Sequence, residues 1–455
     1  MELMKLMVSM LNNKNSSLRL ATEQIKLKDE SINYSSWQLS NKQICDLELL
    51  LNGGFSPLNG FMGKADYDSV LSNMRLHDGS LWPIPINLDV TEKFADKLEV
   101  GNKITLRDKE GFALAILKIS DIWSPNFKEE ASAVYGTEDE SHPAVNYLYN
   151  FSNKIYIGGS LEGISLPRHY DYLNERHTPD QLKSVFAEKG WDKIVAFQTR
   201  NPLHKAHVEM TKRAVEELDA KLLIHPVVGM TKPGDVDHYT RVRCYKHALK
   251  KYEPDSAVLS LLPLAMRMGG PREAVWHALI RKNYGCTHLI VGRDHAGPGN
   301  GKNGKPFYGP YDAQQLLIEY KDEIGIEVVP FKFMVYLPKE DRYEAIDNIK
   351  KDSDFKTISG TELRELLDKG KKIPEWFSYN EISQELRASR PPLKMRGLTI
   401  FFTGLSGSGK STLANGLLVK LLELGSRPVT LLDGDIVRTN LSSELGFSKE
   451  HRSLN

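Results

Sequence analysis

Ile194-Val195-Ala196-Phe197-Gln198-Thr199-Arg200-Asn201-Pro202-Leu203-His204-Lys205-Ala206-His207 is the stretch on which the reading of this chain turns. Its four leading apolar residues predict a short buried strand, the polar run behind them a loop, and the histidines the start of a helix. A strand feeding a helix N-terminus brings unpaired amide N–H groups and the positive end of the helix dipole to one spot, which attracts anions. An arginine, an asparagine, a lysine and two imidazoles converge there. His204 and His207 are three apart, so on a helix they lie side by side, about 5–6 Å between Cβ atoms, and one diffuse anion can touch both.

Outward from this stretch, strands and helices alternate. Ile194–Phe197, Leu222–Val228, Val258–Leu264, His288–Val291 and Glu327–Pro330 read as strands, with helices at Ala206–Leu218 and Pro271–Asn283. Such alternation predicts a doubly wound α/β sheet with its ligand at the carboxyl ends of the strands. A second loop, Gly292-Arg293-Asp294-His295-Ala296-Gly297-Pro298-Gly299, also follows an apolar strand, and in that fold both loops open on one crevice. Arg241, Arg243, Arg267 and Arg272 are further candidates to line it. Each residue alone has a plainer reading: a histidine near a helix start is often a hydrogen-bonded structural residue, and Arg293-Asp294 can be an internal ion pair. H-x-x-H hints at zinc, but no H-E-x-x-H pattern or third ligand accompanies it, so no metal site is expected.

The flanks differ. Residues 1–30 are polar and expected to be poorly ordered. From 31 to 175, short apolar runs such as Lys103-Ile104-Thr105-Leu106 and Ala113–Ile119 alternate with turn residues, which predicts a mostly β domain. Residues 341–390 carry a helix that Ser359 or Thr361 can cap, and read as a small helical domain; Arg390-Pro391-Pro392-Leu393-Lys394 is a linker. Beyond it come an expected strand Leu398–Phe402, the run Gly404-Leu405-Ser406-Gly407-Ser408-Gly409-Lys410-Ser411, a helix Ser411–Leu424 and an expected strand Val429–Leu432. The Gly-rich run matches the phosphate-cradling G-x-x-x-x-G-K-[ST] pattern, in which backbone amides hold phosphates, Lys410 reaches the terminal ones and Ser411 holds magnesium.

The 455 residues suggest roughly two to four domains. Formal net charge is +1, which argues against nucleic acid as a partner, so any anion site must be a local cluster. No apolar run approaches the roughly 18 residues of a membrane span. The cysteines Cys45, Cys244 and Cys286 are far apart, which fits free thiols in a reducing cytosol, and no signal peptide is read; a cytoplasmic location is expected.

Several motifs in order resemble the ATP sulfurylase (sulfate adenylyltransferase) family over roughly residues 35–390. They are Leu47–Leu58, the 198–207 segment, Met268-Gly269-Gly270-Pro271-Arg272-Glu273, the 292–299 loop, and Ile358–Arg364 with Ile373–Phe377. The family usually has arginine where Lys205 stands, a departure that keeps charge but loses bidentate geometry. The resemblance implies ATP plus sulfate giving adenylyl sulfate plus pyrophosphate. It implies that Thr199, Arg200 and Asn201 are catalytic positions and that His204 and His207 steady the phosphates. Gln198, Thr199, Arg200, Asn201, Gly292, Arg293, Asp294, His295 and Met334 would bind ATP, Arg200 and the Ala296 backbone sulfate, and Phe331 would respond to ATP. Because sulfate is already deprotonated at neutral pH, its attack on the α-phosphorus needs no general base; catalysis is alignment plus charge stabilisation. Mg2+ would travel with the nucleotide and keep most of its waters. The helix N-terminus favours neutral histidines and bound phosphate favours the cations, which leaves their protonation open.

Residues 397–455 resemble the start of adenylyl-sulfate (APS) kinase, through the phosphate loop, Asp433–Arg438 and Leu445–Ser448. Arg438, Phe447, Arg452 and Asn455 would then bind adenylyl sulfate. The likeness stops at Asn455 inside a motif, so this part is expected to be incomplete, loosely packed and inactive, as in a piece of a longer bifunctional fusion (a PAPS synthetase).

The fold expected is therefore α/β. By the resemblance, a PUA-like β-rich domain (31–175) precedes a Rossmann-like nucleotidyltransferase domain (176–340) and a small α/β C-terminal sulfurylase domain (341–390). A linker (391–396) then leads to a partial P-loop domain (397–455). A homo-oligomer is expected. Two readings compete: a non-catalytic nucleotide sensor, which the intact phosphate loop disfavours, and another adenylyl transferase with a histidine pair, which the 292–299 loop disfavours.

Overall fold

The computed structural model describes residues 21–350, 354–405, 407–424, 428–434, 436–437, 446 and 448–454. The chain divides into two compact units, Met1–Pro392 and Leu393–Asn455.

The first unit holds two sheets. One has the order β1 (Ser35–Gln38), β4 (Lys103–Arg107), β5 (Ala113–Trp123), β6 (Ile155–Gly163), β2 (Gly60–Phe61), with β3 (Leu88–Val90) also paired to β6. Apart from the parallel β1–β4 pair its ladders are antiparallel. Helix Asn41–Leu51 is fixed beside it by a capping box, in which Ser40 accepts from the Gln43 amide and Gln43 from the Ser40 amide. The core between this part and the next is aromatic: Phe55 lies with its ring centroid 5.6 Å from Trp82 and 5.1 Å from Trp276, and all three are buried.

The second sheet is all parallel, in the order β11 (Glu327–Pro330), β10 (His288–Val291), β7 (Ile194–Phe197), β8 (Lys221–Ile224), β9 (Ala257–Leu259). Helices cover both faces, so β7 is buried at every position and reads as an unbroken apolar run. The first strand, β7, lies in the middle. The chain winds from it to β8 and β9 on one side and to β10 and β11 on the other. The switch point between β7 and β10 is where an open α/β sheet leaves a crevice. A hairpin, β12 (Met334–Leu337) with β13 (Arg342–Ala345), follows β11.

Four expectations need correction. Residues 21–30 are not loose: Ala21–Glu30 is a helix, anchored by buried Leu27 against Ile116 and Ile164 and by the Thr105 hydroxyl, which donates to the Ser31 carbonyl. β8 and β9 stop at Ile224 and Leu259, short of the apolar runs that suggested them. Proline at 226 has no N–H for the ladder, although a parallel bridge resumes at Val227–Leu262. The division at 340/341 cuts the β12–β13 hairpin, whose turn residues mimic a boundary. Leu398–Phe402 and Val429–Leu432 form no strand in the second unit: a strand exists through its neighbours, and the described residues offer these runs none. Leu398, Phe401 and Leu432 are accordingly exposed. Helix Lys410–Leu424 of that unit forms as its pattern predicts.

Candidate active site

Beyond the carboxyl ends of β7 and β10 lies a cavity of about 950 Å³. Its walls come from the 198–207 segment, the 234–237 loop, the 292–297 loop, β12 and the residues before it, and the helix Gly360–Asp368. Gln198, Thr199, Arg200, Asn201, His204, His207, Gly292, Arg293, Asp294, His295, Ala296 and Met334 all line it.

Local structure explains how each side chain is held. Strand β7 ends at Phe197, and Thr199 folds the loop back by accepting the Asn201 amide at 3.0 Å and donating to the Asn201 carbonyl. Helix Lys205–Leu218 then buries Val208, Met210, Thr211 and Ala214 against the sheet, which sets its N-terminus at the crevice. His204 is buried there. Its Nδ1 lies 3.0 Å from the Ser378 hydroxyl and its ring centroid 4.3 Å from that of Phe377. The His204 amide donates to His207 Nδ1 at 3.1 Å, so neutral His207 carries its proton on Nε2. Burial pushes both imidazoles down, His204 to about 3 with help from His207, and His207 to about 4. Burial thus favours the uncharged ring in both.

Fixed charge therefore comes from Arg200, Arg293 and their neighbours. Arg200 Nη1 lies 2.5 and 2.6 Å from the two carboxylate oxygens of Asp235. Arg293 lies 3.3 Å from Asp294, 47 % of its side chain exposed, with its guanidinium 5.7 Å from the Phe333 ring centroid. Lys232 donates to the Pro298 carbonyl at 2.5 Å; burial first, then repulsion from Arg200, lowers its pKa. Among the described residues the buried Gln198 Oε1 has no hydrogen-bond partner, and the Ala296 N–H makes none. Polar groups left unpaired beside a cavity point to a ligand.

The four arginines suggested as further lining residues do not reach the cavity. Arg241 is buried and donates to the Val227 and Val236 carbonyls. Arg243 pairs with Glu385 at 2.6 Å. Arg267 lies 2.6 Å from Asp46, in a buried pair, and Arg272 donates to the Val70, Leu71 and Pro83 carbonyls. Arg243, Arg267 and Arg272 meet partners distant in sequence that no local pattern announces. Phe331 is half-buried, its amide bonded to the Val291 carbonyl, and is not among the lining residues. Asp235, Lys332, Phe333, Lys356 and Arg364 do line the cavity and were not anticipated. The turn Lys232-Pro233-Gly234-Asp235 after β8 was the available signal, a third loop on the same sheet edge.

Residues 174–389 match the family model described as ATP-sulfurylase, residues 13–166 a PUA-like domain, and residues 396–455 adenylylsulphate kinase. A sulfate adenylyltransferase of Mycosarcoma maydis is 52 % identical over 433 residues, which cover 94 % of this chain and 75 % of that protein. One of Yarrowia lipolytica is 53 % identical over 433 residues, 94 % and 76 % of the two chains. The chain belongs to the ATP-sulfurylase family. It is thus an enzyme of the sulfate adenylyltransferase type, a nucleotidyltransferase. A solved structure titled "Hexameric APS kinase from Thiobacillus denitrificans" superposes with a TM-score of 0.78 at 34 % identity, over 96 % of this chain and 80 % of that one. No helix of the described residues is long and apolar enough to cross a membrane.

In the kinase-like segment, Gly407 and Gly409 have φ of 76° and 84°, which only glycine adopts freely, and they turn the loop toward the start of helix Lys410–Leu424. Ser411 donates to Asp433 at 2.8 Å, and Lys410 to the Leu405 carbonyl at 2.7 Å. Gly404, Leu405 and Ser408 belong to the same described loop. Ser406, Arg438, Phe447 and Asn455 lie outside the described residues; Arg452 falls in the helix Lys449–Leu454.

Proposed function

We propose that the cavity joins ATP to sulfate, giving adenylyl sulfate and pyrophosphate. A sulfate oxygen forms the new bond to the α-phosphorus as the α–β bridging P–O bond breaks; the electron pair leaves on pyrophosphate, and no proton need move. The observation that carries this reading is the meeting of Arg200, Arg293, the Ala296 amide and the His204/His207 helix terminus at one switch point; the cavity's carboxylates among the described residues, Asp235, Asp237 and Asp294, are all engaged. In this reading Arg200 and the Ala296 N–H hold sulfate. Gln198, Thr199, Asn201, Gly292, Arg293, Asp294, His295 and Met334 hold ATP, and the neutral histidines donate to the phosphates. Preorganised donors aimed at the developing charge are the main source of rate.

Mg2+ fits as a passenger of the nucleotide. Among the described residues no three carboxylate, histidine or cysteine side chains form a cage, and the cavity's own Asp235 and Asp237 are bound to Arg200 and to the start of helix His238–Leu249. A magnesium ion that arrives with the nucleotide and keeps most of its waters would suit such a site.

The phosphate loop at Gly404–Ser411 supports binding of a nucleotide's phosphates, with Ser411 and Asp433 as the magnesium partners. We also infer that residues 397–455 by themselves do not phosphorylate adenylyl sulfate, because their described part pairs no strands that would hold an acceptor against Lys410. A cytoplasmic location and a homo-oligomer complete the proposal. The free cysteines support the first, and the hexamer named in the neighbouring structure's title the second.

The test is sulfate-dependent exchange of labelled pyrophosphate into ATP. Exchange that needs sulfate is the expected result; exchange that ignores sulfate, or none at all, overturns the assignment. Release of ADP on adding adenylyl sulfate would overturn the inference about the second unit.

A further inference from the structure

Behind the nucleotide loop a line of buried polar groups runs away from the cavity into the domain interface. His295 Nε2 lies 3.0 Å from His277 Nδ1. His277, fully buried on helix Gly270–Asn283, has its Nε2 3.2 Å from Glu273 Oε1, out of line for a straight bond and with no other partner among the described residues. Glu273 is equally buried. It accepts the Arg267 amide at 3.0 Å and the Gly269 amide at 2.7 Å, and Arg267 in turn pairs with Asp46 of the N-terminal part. Nothing in the proposed chemistry uses Glu273 or His277.

The loop they meet is held in an unusual shape. Asp294 and Ala296, on either side of His295, both have φ of 54°, a left-handed conformation that costs energy for a residue with a Cβ. The loop's backbone ties are sparse: the Asp294 amide donates to the Pro310 carbonyl, the Gly270 amide to the Ala296 carbonyl, and the Gly297 amide to the Asp294 carbonyl. Between the two left-handed residues, the fixed point is the His295 ring against His277.

We propose that His277, oriented by Glu273, is a positioning residue that clamps His295 and so holds Asp294 and Ala296 in the conformation that offers the Ala296 N–H to the anion. This rests on the reading of the cavity above and deepens it. Charge logic sets the protons. Glu273 accepts an amide N–H at each oxygen, and His277 Nε2 lies closest to its Oε1; with the His277 proton on that side, Nδ1 is left as acceptor and receives the Nε2–H of His295. Burial keeps both rings neutral, His277 well below its ordinary value, and His295 down to about 3 with further lowering by His277 and Arg281.

Two amide substitutions separate clamping from simple filling of the core. In H277N the amide oxygen stands near the lost Nδ1 and can still receive His295, while the link to Glu273 goes. In H277Q the amide stands near the lost Nε2, keeping Glu273 and releasing His295. Wild-type exchange is measured first; if it shows no sulfate dependence, the proposed function fails and the NMR measurement below still judges the clamp. With activity established, H277N should stay within about threefold of wild type in kcat/KM for sulfate, while H277Q falls by about tenfold to a hundredfold at a similar Tm. Equal losses, or H277Q as the more active variant, overturn the proposal. Should both variants fail to fold, 15N spectra of histidine-labelled full chain decide. Protons on Nε2 of both His277 and His295 support the clamp, and a proton on His277 Nδ1 overturns it.

Discussion

Two loops in this chain are proposed to hold phosphate, and they differ in what stands behind them. The 198–207 loop leaves β7, which is buried at every residue between β8 and β10. The Gly404–Ser411 loop obeys the same local rule, a glycine-rich or polar run ahead of a helix, but no described strand precedes it and Phe401 is 83 % exposed. The comparison teaches that an anion-binding loop is only a set of donors. What makes it a catalytic site is a scaffold that holds the donors at fixed positions while charge moves.

Substitutions at the two loops give the sharpest contrast. Arg200→Ala should lower sulfate-dependent exchange by about three orders of magnitude with Tm unchanged, the effect of removing a charge-stabilising donor. Lys410→Ala should leave that exchange at the wild-type rate. Equal losses would erase the distinction between the loops.

Stability should follow the same division. Leu223→Ala, in the buried strand β8, should cost about 2–5 kcal/mol, and Leu413→Ala, 65 % exposed on the helix after the phosphate loop, should stay within about 0.5 kcal/mol. Denaturant unfolding of the two variants checks this. A large cost at Leu413 would mean that the second unit has a packed core.

Acid should act on the first site. His204 and His207 have folded pKa values depressed to about 3 and about 4, below the unfolded value near 6.5, so the native state binds fewer protons than the unfolded chain. The stability they contribute is present above pH 6.5, and declines as pH falls from there toward 4. His207→Gln should flatten the fall of Tm across that window; an unchanged slope would place the titration elsewhere.

The smallest effect is expected at Asp235, which occupies the guanidinium of Arg200. Asp235→Asn should lower the KM for sulfate about two- to fivefold by removing a competing carboxylate, the scale of a partly exposed ion pair. A raised KM would mean that the pair orients Arg200 rather than competes for it.

Legibility divided along the same physical line. Loops 198–207 and 292–297 could be read because strand, turn glycine and helix start are local patterns, and the sheet order then brings both to one crevice. The β7, β10 and β11 ends were legible for the same reason. The buried arginines were misread because an arginine on its way to a carboxylate 221 positions away looks, in sequence, like one on its way to a phosphate. Asp235 had only the turn at 232–235 to announce it, while the β12–β13 hairpin and the Glu273–His277–His295 line were invisible because each is defined by who its neighbour is.

The amino-acid sequence by itself determined the alternation of strands and helices, the two loops ahead of helix starts, and the side chains available to meet an anion, since these depend on contacts within a few residues. Only the tertiary structure decided which cations reach the cavity and which are spent on buried partners, that burial disfavours charge on both histidines, and that Asp294 and Ala296 are held left-handed. Burial and long-range pairing set the charge state and reach of a side chain, and both exist only once the chain has folded.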